Sequence, residues 1–322
     1  MARSALVAAV LAAGVLVTAS AAAQGFPNRA IRLIVPYAPG GSVDLLARAM
    51  RQGLQDALGQ PVIVDNRPGA GGAIGVEAAA KSPADGHTLV MSGSGAISVN
   101  VHLTKLSYDP GKDLAPVAML TTLPIVVAVH PSLPVRSMQE LVAHAKARPG
   151  TLNFSSNGRG SVSFLAAEIF KHMTGIRMEH IPYKGAAPGT MAIVAGEVQL
   201  GFVDSSAVMP QARAGTVRAL AVTDPKRSII TPELPTIAES GFPGYAVSGW
   251  IALFAPAGTP TNVIQRLNSE VTRILTTAEI RELILRAQME PAPDSPEALQ
   301  ALIKRELEVY GSVIQKAGIK AE

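Results

Sequence analysis

The chain has 322 residues, a formal net charge of +4 and no cysteine. Without cysteine it carries no disulfide, thiolate nucleophile, zinc-thiolate site or lipid-modified N-terminal cysteine. Its Lys and Arg residues are scattered, which argues against nucleic acid as a ligand, and its length suffices for two domains with separate cores.

In the first stretch Arg3 is the only charge before Arg29, residues 5–23 are small or apolar, and Ala21, Ala22 and Ala23 precede Gln24. This is the layout of a cleaved export signal, residues 1–23. The run Ile31 to Val35 then reads as a buried strand and Pro36 to Ser42 as a turn. A helix follows, with Val43, Leu46, Ala47, Met50 and Leu54 on one face. Val62 to Val64, a Gly-rich loop from Asn66 to Gly75, a helix over Val76 to Lys81 and a strand over Thr88 to Met91 complete a βαβαβ unit.

The order then repeats. A strand over Leu152 to Phe154 leads through a polar loop to a helix beginning at Ser161. Strand Glu179 to Ile181, a Pro/Gly loop, helix Thr190 to Ala195 and strand Val198 to Val203 follow. Gly41, Ser42, Val43, Leu46 and Ala47 align with Gly160, Ser161, Val162, Leu165 and Ala166. Two alternating units predict two α/β lobes with parallel sheets.

The apolar run Ile125 to Val129 is the expected first crossing between lobes, and Val217 to Thr223 the expected return. A short helix over 235–241, a strand over Val247 to Ala255 and helices over Pro260 to Thr276 and Pro296 to Lys316 complete the chain. The predicted division is residues 24–125 plus 224–322 for lobe 1 and residues 126–223 for lobe 2. This is the plan of periplasmic binding proteins.

In open α/β sheets ligands bind beyond the carboxyl ends of the strands. That selects Ala38, Pro39, Gly40 and Gly41, with Asp44 in the helix that follows, and Ser92, Gly93 and Ser94 after the third strand. From the second half it selects Ser155, Ser156, Asn157, Gly158, Arg159, Gly160 and Ser161, then Asp204, with Lys184 as a further positive group. Hydroxyls, an amide and free backbone donors converging from two sides suit a carboxylate. Arg159 offers a bidentate clamp; Asp44 or Asp204 would take a ligand hydroxyl or ammonium, because a carboxylate beside a carboxylate repels.

Enzyme signatures are missing. No Gly-x-Ser-x-Gly elbow or phosphate loop is present, and Ile74 falls where a dinucleotide fingerprint needs its third Gly. His87, His102, His130, His144, His172 and His180 form no metal-ligand pair beside an acid. The expectation is a binding module with no metal and no cofactor, with an exported α/β hydrolase or transferase as the competing reading.

Several ordered blocks resemble one family. They are Ile31-Arg32-Leu33-Ile34-Val35-Pro36-Tyr37-Ala38-Pro39-Gly40-Gly41 followed by Asp44, Val64-Asp65-Asn66-Arg67-Pro68-Gly69, Asp85-Gly86-His87-Thr88-Leu89, His180-Ile181-Pro182-Tyr183-Lys184-Gly185 and Leu253-Phe254-Ala255-Pro256. Together they make the chain similar to the substrate-binding receptors of tripartite tricarboxylate transporters, the Bug family. The resemblance implies a type II Venus-flytrap fold with two hinge crossings. It also implies a periplasmic receptor that delivers a small carboxylate to a membrane permease; separately, a single monomer can form the whole cleft, and a receptor that presents its closed form to a sensor kinase is a further competing reading. The resemblance implies further that the first-strand loop holds a carboxylate partly through water while the second-lobe Ser/Gly loop grips the other side. Arg159, Phe164 and Val203-Asp204-Ser205 depart from the family's usual residues, which bears on the ligand rather than on the fold.

Overall fold

The computed structural model describes residues 25–319; the expected signal at 1–23 lies outside the described residues. Among those described, the strands form two sheets. The first contains β1 (Ile31–Val35), β2 (Val62–Asn66), β3 (Thr88–Gly93), β4 (Leu114–Leu123), β10 (Gly249–Pro256) and β11 (Glu290–Asp294), in the order β11-β4-β10-β3-β1-β2. The second contains β5 (Ile125–Val129), β6 (Leu152–Ser156), β7 (Met178–Pro182), β8 (Leu200–Asp204) and β9 (Arg218–Val222), in the order β7-β6-β8-β5-β9.

The two orders are the same pattern used twice. In each sheet the first strand of the unit lies between the second and third, and a strand arriving from the other lobe pairs antiparallel beside the third. The repeat read from five identical residues is therefore a repeat of topology.

Helices cover both faces, which is why β1 is buried at four of its five positions. Ile31, Leu33 and Val35 pack on α1 (Ser42–Leu58), while Ile34 points the other way toward α2 (Ala73–Ala80). Val43, Leu46, Ala47, Met50, Leu54 and Leu58 form the buried stripe of α1, and Gly59, at φ 67°, ends it by donating to Gln55 O. After β3 the chain makes a π-helical turn, Gly95–Val99, that runs into α3 (Asn100–Leu103).

In the second lobe α4 (Met138–Ala147) and α5 (Val162–Thr174) are each capped by a serine, Ser137 and Ser161. Their apolar faces join Phe154, Leu200 and Phe202 in one core. On the opposite face lie α6 (Ala186–Val194) and α7 (Ser205–Arg213).

Pro124 alone separates β4 from β5, so the chain crosses there and the run Ile125 to Val129, expected as the crossing, lies wholly in the second sheet. The return also lies elsewhere than expected. Residues 217–223 stay in the second sheet, where β9 pairs antiparallel with β5, and the chain crosses back at 247–249. Thr223 holds this second crossing, its hydroxyl donating to Val247 O at 2.7 Å. Residues 224–247, expected with the first lobe, place Ile237, Tyr245 and Val247 in the second core. The helix expected over 235–241 is a set of turns, closed by reciprocal Thr236 and Glu239 hydrogen bonds.

Three helices complete the molecule. α8 (Thr261–Leu275) packs on α1, and α9 (Ala278–Arg286) follows it. α10 (Pro296–Lys316) serves both lobes, with Leu299 and Ile303 in a first-lobe core and Tyr310 and Ile314 in the second-lobe core. Between them the buried carboxylate of Glu306 accepts the indole N–H of Trp250 at 3.0 Å. Among the described residues no helix is long and apolar enough to cross a membrane.

Candidate functional site

The first wall of the cleft is the loop between β1 and α1. Ala38, Pro39, Gly40 and Gly41 are exposed there, and Gly41 starts α1 without a side-chain cap. The first-turn N–H groups have no carbonyl partner in the helix and suit an anion. Asp44 is buried, and both its oxygens are taken: by Gly40 N at 2.9 Å, Arg48 Nε at 2.9 and 3.0 Å, and Asn66 Nδ2 at 2.9 Å. Burial opposes its charge, but the bonds from Arg48, Gly40 and Asn66 outweigh that and hold its pKa below the ordinary carboxylate value. Asp44 is thus bonded to the loop and to its neighbours through both of its oxygens.

Tyr37, which sequence reasoning did not single out, lies inside this wall. Its hydroxyl stands beside the Ser92 side chain and the Gly93 backbone, and burial pushes its pKa up. Ser92 Oγ bonds Gly93 O at 3.3 Å, and Ser94 Oγ accepts Trp250 N at 3.3 Å. Both serines, expected as ligand groups, are buried and engaged within their own lobe.

The second wall is the loop from β6 to α5. Successive residues of β6 face opposite sides of the sheet. Ser155 therefore points under α6, so close to Gly201 that a Cβ there would lie 2.4 Å from its Oγ. Ser156 points the other way, 2.7 Å from His180 Nε2, and its oxygen accepts Gly158 N at 3.1 Å. His180 packs between the rings of Phe154 and Phe164, with centroids 4.9 and 4.6 Å away. Burial, then the charges of Arg159 and Lys171, lower its pKa to about 4, so the ring is neutral near pH 7. Ser161 ties the loop to its helix, donating to Gly158 O at 2.6 Å and accepting Phe164 N at 3.1 Å.

Asn157 and Asp204 form a pair at the strand ends. Asn157 N donates to Ser163 Oγ at 2.9 Å and its Nδ2 to Asp204 Oδ1 at 2.7 Å. Burial raises the Asp204 pKa to about 6, against the bond from Asn157. The charge of Asp204 is felt by Tyr37 of the other lobe. Arg159 and Lys184 are exposed.

The two sides approach closely at Gly95 and Gly160. A Cβ on Gly95 would meet Gly160 O at 3.2 Å, and one on Gly160, at φ 76°, would meet Asn100 Oδ1 at 2.9 Å. Asn100 is buried and also donates to Ala70 O at 2.9 Å. A side chain at either glycine would hold the lobes apart.

The chain matches the model of the tripartite tricarboxylate transporter family receptor over residues 46–319. It is 38% identical over 306 residues to Protein BugT of Bordetella pertussis strain Tohama I, covering 94% of each chain. Among solved structures it is similar to R. palustris Rpa4515 with adipate, with 36% identity, a TM-score of 0.82, and 92% of this chain and 99% of that one covered. It is also similar to MatC from Rhodopseudomonas palustris with bound malate, with 31% identity, a TM-score of 0.79, and 90% and 100% covered. The two-sheet topology, the loops facing each other at the strand ends and these matches make the chain a member of the tripartite tricarboxylate transporter receptor family.

Proposed function

We propose that this chain is a solute-binding receptor that closes two lobes on a small carboxylate and hands it to a membrane permease. The observation carrying this reading is the meeting of the walls at Gly95 and Gly160, with uncapped backbone donors of α1 on one side and the Asn157 to Ser161 loop on the other. One carboxylate sits against Ala38 to Gly41 and the first turn of α1. The far end of the ligand lies against Asn157, Gly158, Arg159 and Gly160. Lys184 adds positive potential from the rim. Adipate and malate in the related structures are molecules of this class.

The receptor works in the periplasm as a monomer after removal of residues 1–23, and binds without turnover. The Ser156–His180 pair has the spacing of a nucleophile and its base, but it does not favour a hydrolase. Ser156 is fully buried, and His180 Nδ1, where a triad places its orienting acid, has no partner among the described residues.

Thermal unfolding of the mature protein against mono-, di- and tricarboxylates tests the reading. A ligand at about 100 times its Kd adds roughly 2.7 kcal/mol, a rise of several degrees. If no acid shifts the midpoint of ligand-free protein, the carboxylate reading fails.

A further inference from the structure

Building on the receptor reading above, we propose that Asn100 is a positioning residue for ligand capture. The π-helical turn Gly95–Val99 sets it beside Gly95 against Gly160 of the second lobe, and its amide ties that approach to the Gly69 to Gly72 loop behind the first wall.

Gly95 and Asn100 are five residues apart. In an α-helix that separation points two residues about 140° away from each other. Here the Asn100 N–H donates to Gly95 O, and a bond spanning five residues widens the turn and brings its two ends one above the other. Both ends then reach the same residue of the other lobe. A Cβ on Gly95 would lie 3.2 Å from Gly160 O, and one on Gly160 would lie 2.9 Å from Asn100 Oδ1. The register of one turn sets both approaches.

Asn100 also grips its own lobe. It is buried, and its Nδ2 donates to Ala70 O at 2.9 Å, while a Cβ on Gly71 would lie 3.0 Å from the same nitrogen. Thr104 Oγ1, 3.2 Å from Asn100 Oδ1 and 3.1 Å from Asn100 O, fixes the side chain from its own helix. The loop held in this way backs the first wall. A Cβ on Gly72 would lie 3.3 Å from Tyr37 Cε1, and Tyr37 directly precedes Ala38 of the candidate ligand loop. A side-chain amide suits this place, because it gives a donor to the Ala70 carbonyl on one arm and turns an acceptor to the second lobe on the other.

Isothermal titration of adipate, malate and citrate into wild type, Asn100→Ala, Gly160→Ala and the double variant tests this. For the acid that binds, Asn100→Ala should weaken affinity about tenfold, the effect of a buried hydrogen bond left unmade. Gly160→Ala should weaken it too, through its left-handed φ of 76° and through the Cβ set against Asn100. The backbone cost is the same in both backgrounds and cancels in the cycle. Gly160→Ala is therefore expected to cost about tenfold less affinity in the Asn100→Ala protein than in wild type. A lower Tm for Asn100→Ala with additive effects on affinity is what a merely structural residue would give. That result would overturn the inference and leave the receptor reading standing. Binding of none of the acids would bring down both together. Hydrogen exchange in the wild-type protein decides the matter even where a variant misfolds. On saturation with the acid that binds, peptides covering residues 69–72, 95–104 and 157–161 should gain protection together, and protection at 157–161 without the other two would contradict the inference.

Discussion

Asp44 holds the backbone N–H of Gly40, four residues before it, at 2.9 Å, and with the same carboxylate binds Arg48 and Asn66. Asn66 in turn donates to Tyr37 O at 3.2 Å. The loop from Ala38 to Gly41 is thus set from behind by the carboxylate of Asp44.

Replacing Asp44 with Ala should therefore weaken carboxylate binding about tenfold or more and destabilise the protein by about 1.5–3 kcal/mol, the range for hydrogen bonds to a charged group. The folded pKa lies below the unfolded one, so this contribution is present above the unfolded carboxylate pKa and is lost as pH falls through the folded value. Melting of wild type and variant at pH 7 and pH 3 checks it: the gap closes in acid.

Asp224 has the opposite sign. It sits where the chain leaves β9, bonded to Ser248 of the second crossing and facing Glu290 of β11. Burial is the main cause that raises its pKa, to about 7. The folded protein binds this proton more tightly than the unfolded chain, so stability declines as pH rises from about 4 to about 7. Asp224→Asn, which mimics the protonated acid, should raise Tm at pH 8 by several degrees, because each tenfold weakening of an acid on folding is worth about 1.4 kcal/mol. At pH 4 it should change little. A variant less stable at pH 8 would contradict this account.

Gly95 has an ordinary backbone conformation, so its substitution strains nothing locally. In the closed form, however, a side chain there meets Gly160 O and the backbone of Ser161. Gly95→Val should leave the Tm of the ligand-free protein within about a degree of wild type, since surface changes lie near ±0.5 kcal/mol. It should also weaken ligand binding and abolish the compaction that small-angle X-ray scattering records on ligand addition. Unchanged affinity would mean that the lobes bind without meeting at this point.

Strong local periodicity made some elements legible. The strand Ile31–Val35 and the helix Pro296–Lys316 lie where their apolar spacing places them. The helix α4 could have been found, because Ser137 followed by Glu140 is a capping box. Others had no local signal. α7 opens with two serines and contains Pro210, and β11 has two prolines in five residues; only their partners in the tertiary structure make them regular. The cleft loops were visible as Gly- and Ser-rich strand ends, but which side chains face the ligand was not. That depends on pleat direction for Ser155 and on distant partners for Asp44, and Tyr37 lies inside the wall only because Gly93, far along the chain, is folded against its hydroxyl.

The C-terminal helix has a consequence for how the molecule is made. The first sheet needs β10 and β11 from late in the chain, and the second core needs Tyr310 and Ile314 from its last helix. Neither lobe can complete its interior until nearly all of the polypeptide is present. Folding is then a late and joint event, and heat should melt both lobes in one transition.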